Sequence, residues 1–432
     1  MTRVYNEPDR ISFLPDFIIH QILSNLSIKE AGRTSVLSSN WRKKWSTQPV
    51  LVFDSQCVSS ETSQHRSVIE SKFVSIIDHV LLLHSGPINT FEVSDSNTVI
   101  IGVNSMAHID RWILHLIGRS IKALVLDIRF KQRYKIPWCL FSCQSLLYLK
   151  LFSCLLKPPT TFKGFSNLKI LELERVTMDQ DAFERLISGS PLLEELTLID
   201  FDGFTQINIR APNLKLIQFI GKFEDISFNN TSQLAPEWLN LKLYSNSENN
   251  QSRLHGGSSN LLNFFDHLPN IQHLHVMSYF MKYLAAGDVP VELPTPCINI
   301  TSACFGINFN DLKQISVFLC LLKSSPNLQK AVKIFVQLEE QTSLLTPASY
   351  CWEDIYSEPN TPLVVRHLRI EGISGTKSEL DFIRFLLLYS PMLEKMILKP
   401  VVNVKPELMI ELLRFRRAST RAEIIYHGND SS

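Results

Sequence analysis

One spacing, apolar-x-x-apolar-x-apolar, recurs along most of this chain and limits what it can fold into. It occurs at Ile121-Leu124-Leu126, Leu146-Leu149-Leu151, Leu168-Leu171-Leu173, Leu193-Leu196-Leu198, Leu214-Ile217-Phe219, Trp238-Leu241-Leu243 and Ile271-Leu274-Val276. After a long gap it returns at Val365-Leu368-Ile370 and Leu393-Met396-Leu398, with a slipped version at Leu328-Val332-Ile334. From Ile121 to Trp238 the starts are 25, 22, 25, 21 and 24 residues apart. Alternation over the last positions predicts a short strand buried on one face. One such unit cannot close its own core, so its neighbours must. Helical spacing fills several connectors, at Phe183, Leu186 and Ile187, at Leu312 to Leu322, and at Leu380, Ile383 and Leu387. Ser-Pro pairs at 190–191, 325–326 and 390–391 stop the connector just before the next strand.

A period of about 20–29 residues is that of leucine-rich repeats, in which each unit gives one strand to a curved parallel sheet. The expected fold class is therefore α/β: a solenoid with strands on the concave side and helices on the convex side. A doubly wound sheet also alternates strand and helix. Here several connectors are too short or too rich in Pro for full crossover helices, and the period is too regular. Three insertions interrupt the array. Residues 245–260 are of low complexity, 286–299 carry Pro290, Pro294 and Pro296, and 339–362 are acidic and Ser/Thr/Pro-rich.

Upstream, residues 9–54 hold more apolar side chains than so short a segment buries alone. After Pro15, which can open a helix, Ile18, Ile19, Ile22, Leu23 and Leu26 recur at helical spacing. Ile28 to Leu37 forms a second piece, and Trp41 and Trp45 lie one turn apart. About 45 residues in three short helices fall below a self-sufficient core. They either dock on the next domain or are completed by a partner protein.

The order D-R-I-S-x-L-P-D, I-L-S-x-L and R-T-S-V-L-S-x-x-W-R-x-x-W resembles the plant F-box. The resemblance implies a Skp1-like adaptor as partner and, through it, a cullin. Carried over by position, the adaptor-binding residues are Leu14, Pro15, Ile18, Ile22, Leu23, Leu26, Val36, Trp41 and Trp45. Phe17, Gly32 and Asn40 depart from the usual pattern, and Gly32 costs about 1 kcal/mol of helix propensity against Ala. Residues 364–400, with G-T-K-S-E-L-D-F-I-R-F-L-L and S-P-x-L-E-K-M, resemble the FBD region that ends many plant F-box proteins. The expected layout is an F-box at 9–54, a polar hinge at 55–67, repeats at 68–363, and the FBD region with a C-terminal cap at 364–432. Within it, a helix over Val68–His84, a strand at PINTFEV and a helix around Ile109–Ile117 precede the repeats. A final helix and strand follow Pro406.

The 432 residues carry net charge +1 and 45% hydrophobic side chains, a globular composition without the concentrated basic face that nucleic acid requires. No apolar run reaches the roughly 18–20 residues of a membrane span, and the N-terminus lacks a signal-peptide core. A nuclear or cytoplasmic protein is expected, neither secreted nor membrane-bound. Its eight cysteines are then buried thiols. Phosphate loops, H-E-x-x-H, G-x-S-x-G and dinucleotide fingerprints are missing from the sequence. No enzyme activity, cofactor or metal is expected. His273 and His275 share a strand face and could bind a metal with a third ligand; exposed surface histidines are expected instead.

The F-box resemblance implies a substrate-recruiting adaptor subunit of an SCF-type ubiquitin ligase. The alternative is a repeat scaffold or small-molecule sensor that binds the adaptor without driving degradation. The unknown target is expected on the concave face. There a middle row reads Val125, Lys150, Glu172, Thr197, Gln218, Lys242, His275 and Arg369. The neighbouring row reads Tyr148, Ile170, Glu195, Leu216, Asn240, His273 and His367. The target-binding candidates are Tyr148, Lys150, Glu172, Lys242, His273, His275 and Arg369.

Overall fold

The computed structural model describes residues 14–24, 26–38, 41–58, 66–228, 238–243, 259–266, 268, 270–328, 331–337, 362–401, 411–412 and 414–427. They fall into two compact units, Met1–Phe204 and Thr205–Ser432.

The first unit opens with helix α1 (Asp16–Ser24), whose first turn closes when the Ile18 and Ile19 N–H groups donate to the Pro15 carbonyl. Helix α2 (Ile28–Arg33) starts with a reciprocal capping box between Ser27 and Glu30. It runs into a 3₁₀ turn, Thr34–Val36. Where a third helix was expected, Trp45 lies in a second 3₁₀ turn, Lys44–Thr47. Ile19, Leu23, Ala31 and Trp41 make the small core, with Leu14, Leu26 and Trp45 packed against it.

Strand β1 (Val50–Phe53) follows at once and pairs in parallel with β2 (Thr90–Ile101). The last residues of the expected helical module thus already belong to the sheet, because Val50, Leu51, Val52 and Phe53 alternate exposed and buried. The seam is stitched by backbone. Ser85 and Gly86 N–H donate to the Ser46 carbonyl, and Asn89 and Thr90 N–H to that of Pro49. Helix α3 (Arg66–Leu83) leads into this seam, and helix α4 (Met106–Ile117) packs beside it. Asp78 of α3 accepts from the Trp112 indole of α4 at 2.6 Å.

The repeat strands stand where the spacing placed them. They are β3 (Ala123–Phe130), β5 (Tyr148–Phe152), β7 (Ile170–Glu174) and β8 (Glu195–Ile199), with a short β4 (Tyr134–Lys135) and β6 (Cys154–Leu155) beside them. The sheet runs β1-β2-β3-β5-β7-β8, all parallel. Every framework residue of these strands, such as Leu149, Leu171 and Leu196, is buried. A 3₁₀ turn, Trp138–Ser142, joins β3 to β5, and helix α5 (Gln180–Ser188) joins β7 to β8. That economy separates the fold from a doubly wound sheet.

Ser153, Arg175 and Asp200 follow three successive strands and all take φ between 52° and 56°. A left-handed residue turns each strand end through the same angle, and the cost is met by pairing. Ser153 N–H donates to the Glu174 carbonyl at 2.8 Å and Arg175 N–H to that of Ile199 at 2.7 Å. Behind, Gly189 meets the preceding turn so closely that a Cβ would sit 1.6 Å from the Lys163 carbonyl oxygen.

The second unit contains the short parallel pair β9 (Gln206–Ile209) and β11 (Asp225–Phe228), and a main parallel sheet. That sheet consists of β10 (Leu216–Gly221), β12 (Trp238–Leu243), β13 (His273–Ser278), β14 (Ser302–Ile307), β15 (Ala331–Val336), β16 (His367–Ile373), β17 (Lys395–Pro400) and β18 (Glu423–Tyr426). Helices α6 (Asn260–Phe265), α7 (Tyr279–Leu284), α8 (Leu312–Ser324) and α9 (Lys377–Tyr389) lie between strands in sequence. Strand β14 was not expected. Its framework, Ile300-Ala303-Phe305, has the right spacing, but Ala303 and the neighbouring Cys304 obscure it. The slipped repeat at Leu328-Val332-Ile334 is β15, with all three residues buried.

One register differs from the expectation. Leu216 pairs with Trp238 and Gln218 with Asn240, so the buried framework of β12 is Leu239 and Leu241. Trp238, read as a framework residue because it is large and apolar, is 47% exposed on the opposite face.

The FBD-like motif has a physical basis. Glu379 is 2% exposed, and its carboxylate accepts from the N–H groups of Ser374, Gly375 and Thr376 at 2.9, 2.6 and 3.1 Å, and from the Ser374 hydroxyl at 2.7 Å. G-T-K-S-E thus writes the N-terminus of α9, with Thr376 as its cap. The Ser-Pro pairs also share one turn: the buried Ser190, Ser325 and Ser390 each accept on their carbonyl from the N–H three residues on, at 3.1–3.2 Å. The expected irregular connection at 286–299 has neither helix nor strand. Most of 245–260, 339–361 and much of the expected helix after Pro406 lie outside the described residues, whereas the closing strand is β18.

Candidate functional site

The structure divides the nine adaptor-binding candidates by what surrounds them. Leu23 and Trp41 are buried in the module's own core, and Leu14, Leu26 and Trp45 pack against it. Ile18 is half-buried, Pro15 and Ile22 are exposed, and Val36 is 87% exposed. Two further apolar side chains are exposed on the same elements, Phe17 at 68% and Leu37 at 53%. Phe17, which departs from the usual pattern, is thus a surface group that position-by-position comparison passed over. Lys44 pairs with Asp16 at 2.7 Å, and this hydrogen bond, with the Lys44 charge, lowers the Asp16 carboxyl below its ordinary value. A module of this size leaving Phe17, Ile22, Val36 and Leu37 in water presents apolar area that its fold does not need.

The other candidates lie on the sheet face opposite the buried framework. In the first unit Val125, Lys150, Glu172 and Thr197 are in register across β3, β5, β7 and β8, and Ala123, Tyr148, Ile170 and Glu195 form the adjacent row. Both rows are as expected. Lys150 Nζ lies 2.8 Å from Asp127 and 3.8 Å from Glu172, and Tyr148 donates its hydroxyl to Glu172 at 3.0 Å. Burial pulls the Lys150 ammonium down, but the Asp127 hydrogen bond and surrounding carboxylates outweigh it, leaving the ammonium above its ordinary value. Burial and Glu172 push the Tyr148 phenol up. The three candidates are one connected cluster.

In the second unit the row is Gln218, Asn240, His275, Cys304, Lys333, Arg369 and Ile397. His275 and Arg369 stand where expected. Lys242 does not: the β12 register sets it beside Ile220 and Met277, two residues further along. Trp238 takes the place expected for Asn240, next to His273, with ring centroids 5.2 Å apart. His273 Nδ1 is 2.6 Å from the Ser302 hydroxyl. Glu371 bridges Lys333 at 3.1 Å and Arg369 at 2.5 Å. Burial raises its carboxyl, but these two cations bring it below the ordinary value.

Among the described residues no group of three or more His, Cys, Asp or Glu is placed to hold a metal. The described cysteines are free thiols, and burial pushes those of Cys297 and Cys304 up to about 11, away from nucleophilic use. No helix among the described residues is long and apolar enough to cross a membrane.

A family described as "F-box domain" matches residues 11–53, and one described as "FBD-associated F-box protein At5g56370, LRR repeats" matches 109–331. The chain is 39% identical over 423 residues to F-box/FBD/LRR-repeat protein At1g13570 of Arabidopsis thaliana, covering 97% of this chain and 98% of the relative. It is 26% identical to putative F-box protein At3g58860 of the same plant, over 94% and 91% of the two chains. It is also 25% identical to FBD-associated F-box protein At5g56370, over 97% and 100%.

Proposed function

The chain belongs to the F-box/FBD/LRR-repeat family, and from that premise we propose that it is a non-catalytic, target-recruiting subunit of an SCF-type ubiquitin ligase. The F-box binds a Skp1-like adaptor, and through it a cullin. The repeat sheet holds the target protein. The observation that carries the reading is the exposed apolar set Phe17, Ile22, Val36 and Leu37 on a module that already has its own core. Pro15, Ile18, Ile22 and Val36 make the adaptor contact, and Phe17 and Leu37 extend it. Leu14, Leu23, Leu26, Trp41 and Trp45 act by holding that surface in shape.

The mechanism is proximity. A subunit that tethers a target beside a loaded conjugating enzyme raises the effective concentration of its lysines without doing chemistry itself. On the target side, Tyr148, Lys150 and Glu172 serve in the first unit, and Lys242, His273, His275 and Arg369 in the second. Mixed polarity with scattered aromatic groups suits a transient protein interface. The test is reconstitution with adaptor, cullin and conjugating enzyme, using proteins captured by a chain whose F-box carries Ile22→Lys. Captured proteins should gain ubiquitin with the unmodified chain and none with the variant. Ubiquitin transfer independent of the F-box would overturn the reading.

A further inference from the structure

The open face of the first unit's sheet carries a charge bias that the composition does not. The chain is close to neutral, yet on strands β2, β3, β5, β7 and β8 this face holds five carboxylates, Glu92, Asp127, Glu172, Glu174 and Glu195, against two cations, Lys150 and Arg129. Lys150 is engaged with Asp127 and Glu172. Arg129, near the end of β3, is exposed, and beyond the strand ends Arg175 pairs with Asp200 and Arg133 with Asp202. Burial and the nearby Asp127 push the Glu174 carboxyl up, against the opposing pull of Arg175 and Lys150. The carboxylates do not converge on a point, as a metal site requires. They lie on four of five neighbouring strands, which together span about 19 Å at the usual strand spacing.

Apolar groups lie on the same face. Val50 and Val52 of β1 are 45% and 36% exposed, and Tyr148, Ile170 and Ile199 are half-buried beside the acids. We infer that the partner lying on this face presents a Lys/Arg-rich extended segment with interspersed aliphatic side chains. About six extended residues span the acidic tract. Charge complementarity selects the segment and speeds its arrival, and the aliphatic groups find Val50, Val52 and Ile170. The inference rests on the proposal that the open sheet face holds the target, and adds the chemistry of what is held.

The experiment uses the full chain and a fluorescein-labelled dodecapeptide alternating Lys or Arg with Val, beside a twin with Glu at every basic position. Anisotropy should show the basic probe bound at about 50 mM salt and weakened at about 500 mM, with the acidic twin unbound. Glu172→Gln/Glu174→Gln/Glu195→Gln should lower affinity for the basic probe by about tenfold or more. If that variant melts early, Glu92→Gln/Glu195→Gln replaces it, with a loss of severalfold expected. Equal binding by the variant, binding of the acidic twin, or no binding of the basic probe overturns the inference. Thr197→Trp, which obstructs the face without changing charge, separates the two levels. If it releases captured cellular proteins and the glutamine variant keeps them, the face is right and the basic chemistry is wrong. If neither releases them, the assignment of the face itself fails.

Discussion

Glu379 is the sharpest test of how the C-terminal motif works. Its carboxylate accepts four hydrogen bonds, three from consecutive backbone N–H groups at 2.6–3.1 Å and one from the Ser374 hydroxyl at 2.7 Å, at the N-terminus of α9. Glu379→Ala leaves those donors without an acceptor in a site the residue otherwise fills. Each unsatisfied buried donor costs about 1–3 kcal/mol, less what water recovers at the rim, so a total of about 3–5 kcal/mol is expected. Glu379→Gln keeps the shape and one acceptor oxygen but loses the charge that favours a helix N-terminus, costing about 1–2 kcal/mol. The exposed Lys377→Ala, two residues away, should change little. Thermal denaturation followed by circular dichroism should rank the variants Lys377→Ala, Glu379→Gln, Glu379→Ala in falling stability. The transition containing α9 should drop by about 2–4 °C per kcal/mol. An alanine variant melting with the parent would show that the motif is not held by these bonds.

In the F-box, Leu23→Ala should cost about 2–5 kcal/mol because Leu23 is 1% exposed in a small core, speeding hydrogen exchange across residues 16–47. Ile22→Ala, at 39% exposure, should leave exchange unchanged and weaken adaptor capture in a pull-down. At the seam, burial more than the charge of Arg119 holds the His84 imidazole below its ordinary 6.5, against its hydrogen bond to Gln48, and His115 is lowered for the same main reason. The unfolded chain therefore takes up these protons first. Stability is complete above about pH 6.5 and falls as pH drops below it, so melting points between about pH 7 and 5 should decline, and decline less in His84→Gln. Gly189→Ala should destabilise by about 2 kcal/mol or more, since its Cβ would meet the Lys163 carbonyl oxygen at 1.6 Å; a melting curve matching the parent would contradict this packing.

The parallel repeat was legible because leucine at fixed spacing must be buried, and burial is what the spacing encodes. Leu149, Leu171 and Leu196 stand where that rule puts them. The rule fails where size and burial part company. Trp238 is apolar but faces outward, and Ala303 is buried but small, so β12 was read two residues out of register and β14 was passed over. Apolar character also cannot tell a core residue from a docking residue. Leu23 and Ile22 are adjacent and alike in sequence, and only the helix's packing against Ala31 and Trp41 separates them. The acidic bias of the first sheet face was invisible for another reason: Glu92, Asp127 and Glu195 are far apart in sequence and meet only through strand register.

The central claim is that the F-box surface, and not its core, engages a Skp1-like adaptor. The direct measurement is co-purification of that adaptor with the full chain and with Ile22→Lys and Val36→Lys, each checked by thermal melting. A charge at either position should abolish capture, because docking would bury it unpaired, while the melting point stays with the parent, since both side chains already face water. Adaptor retained by both variants, or never captured by the parent chain, would contradict the account.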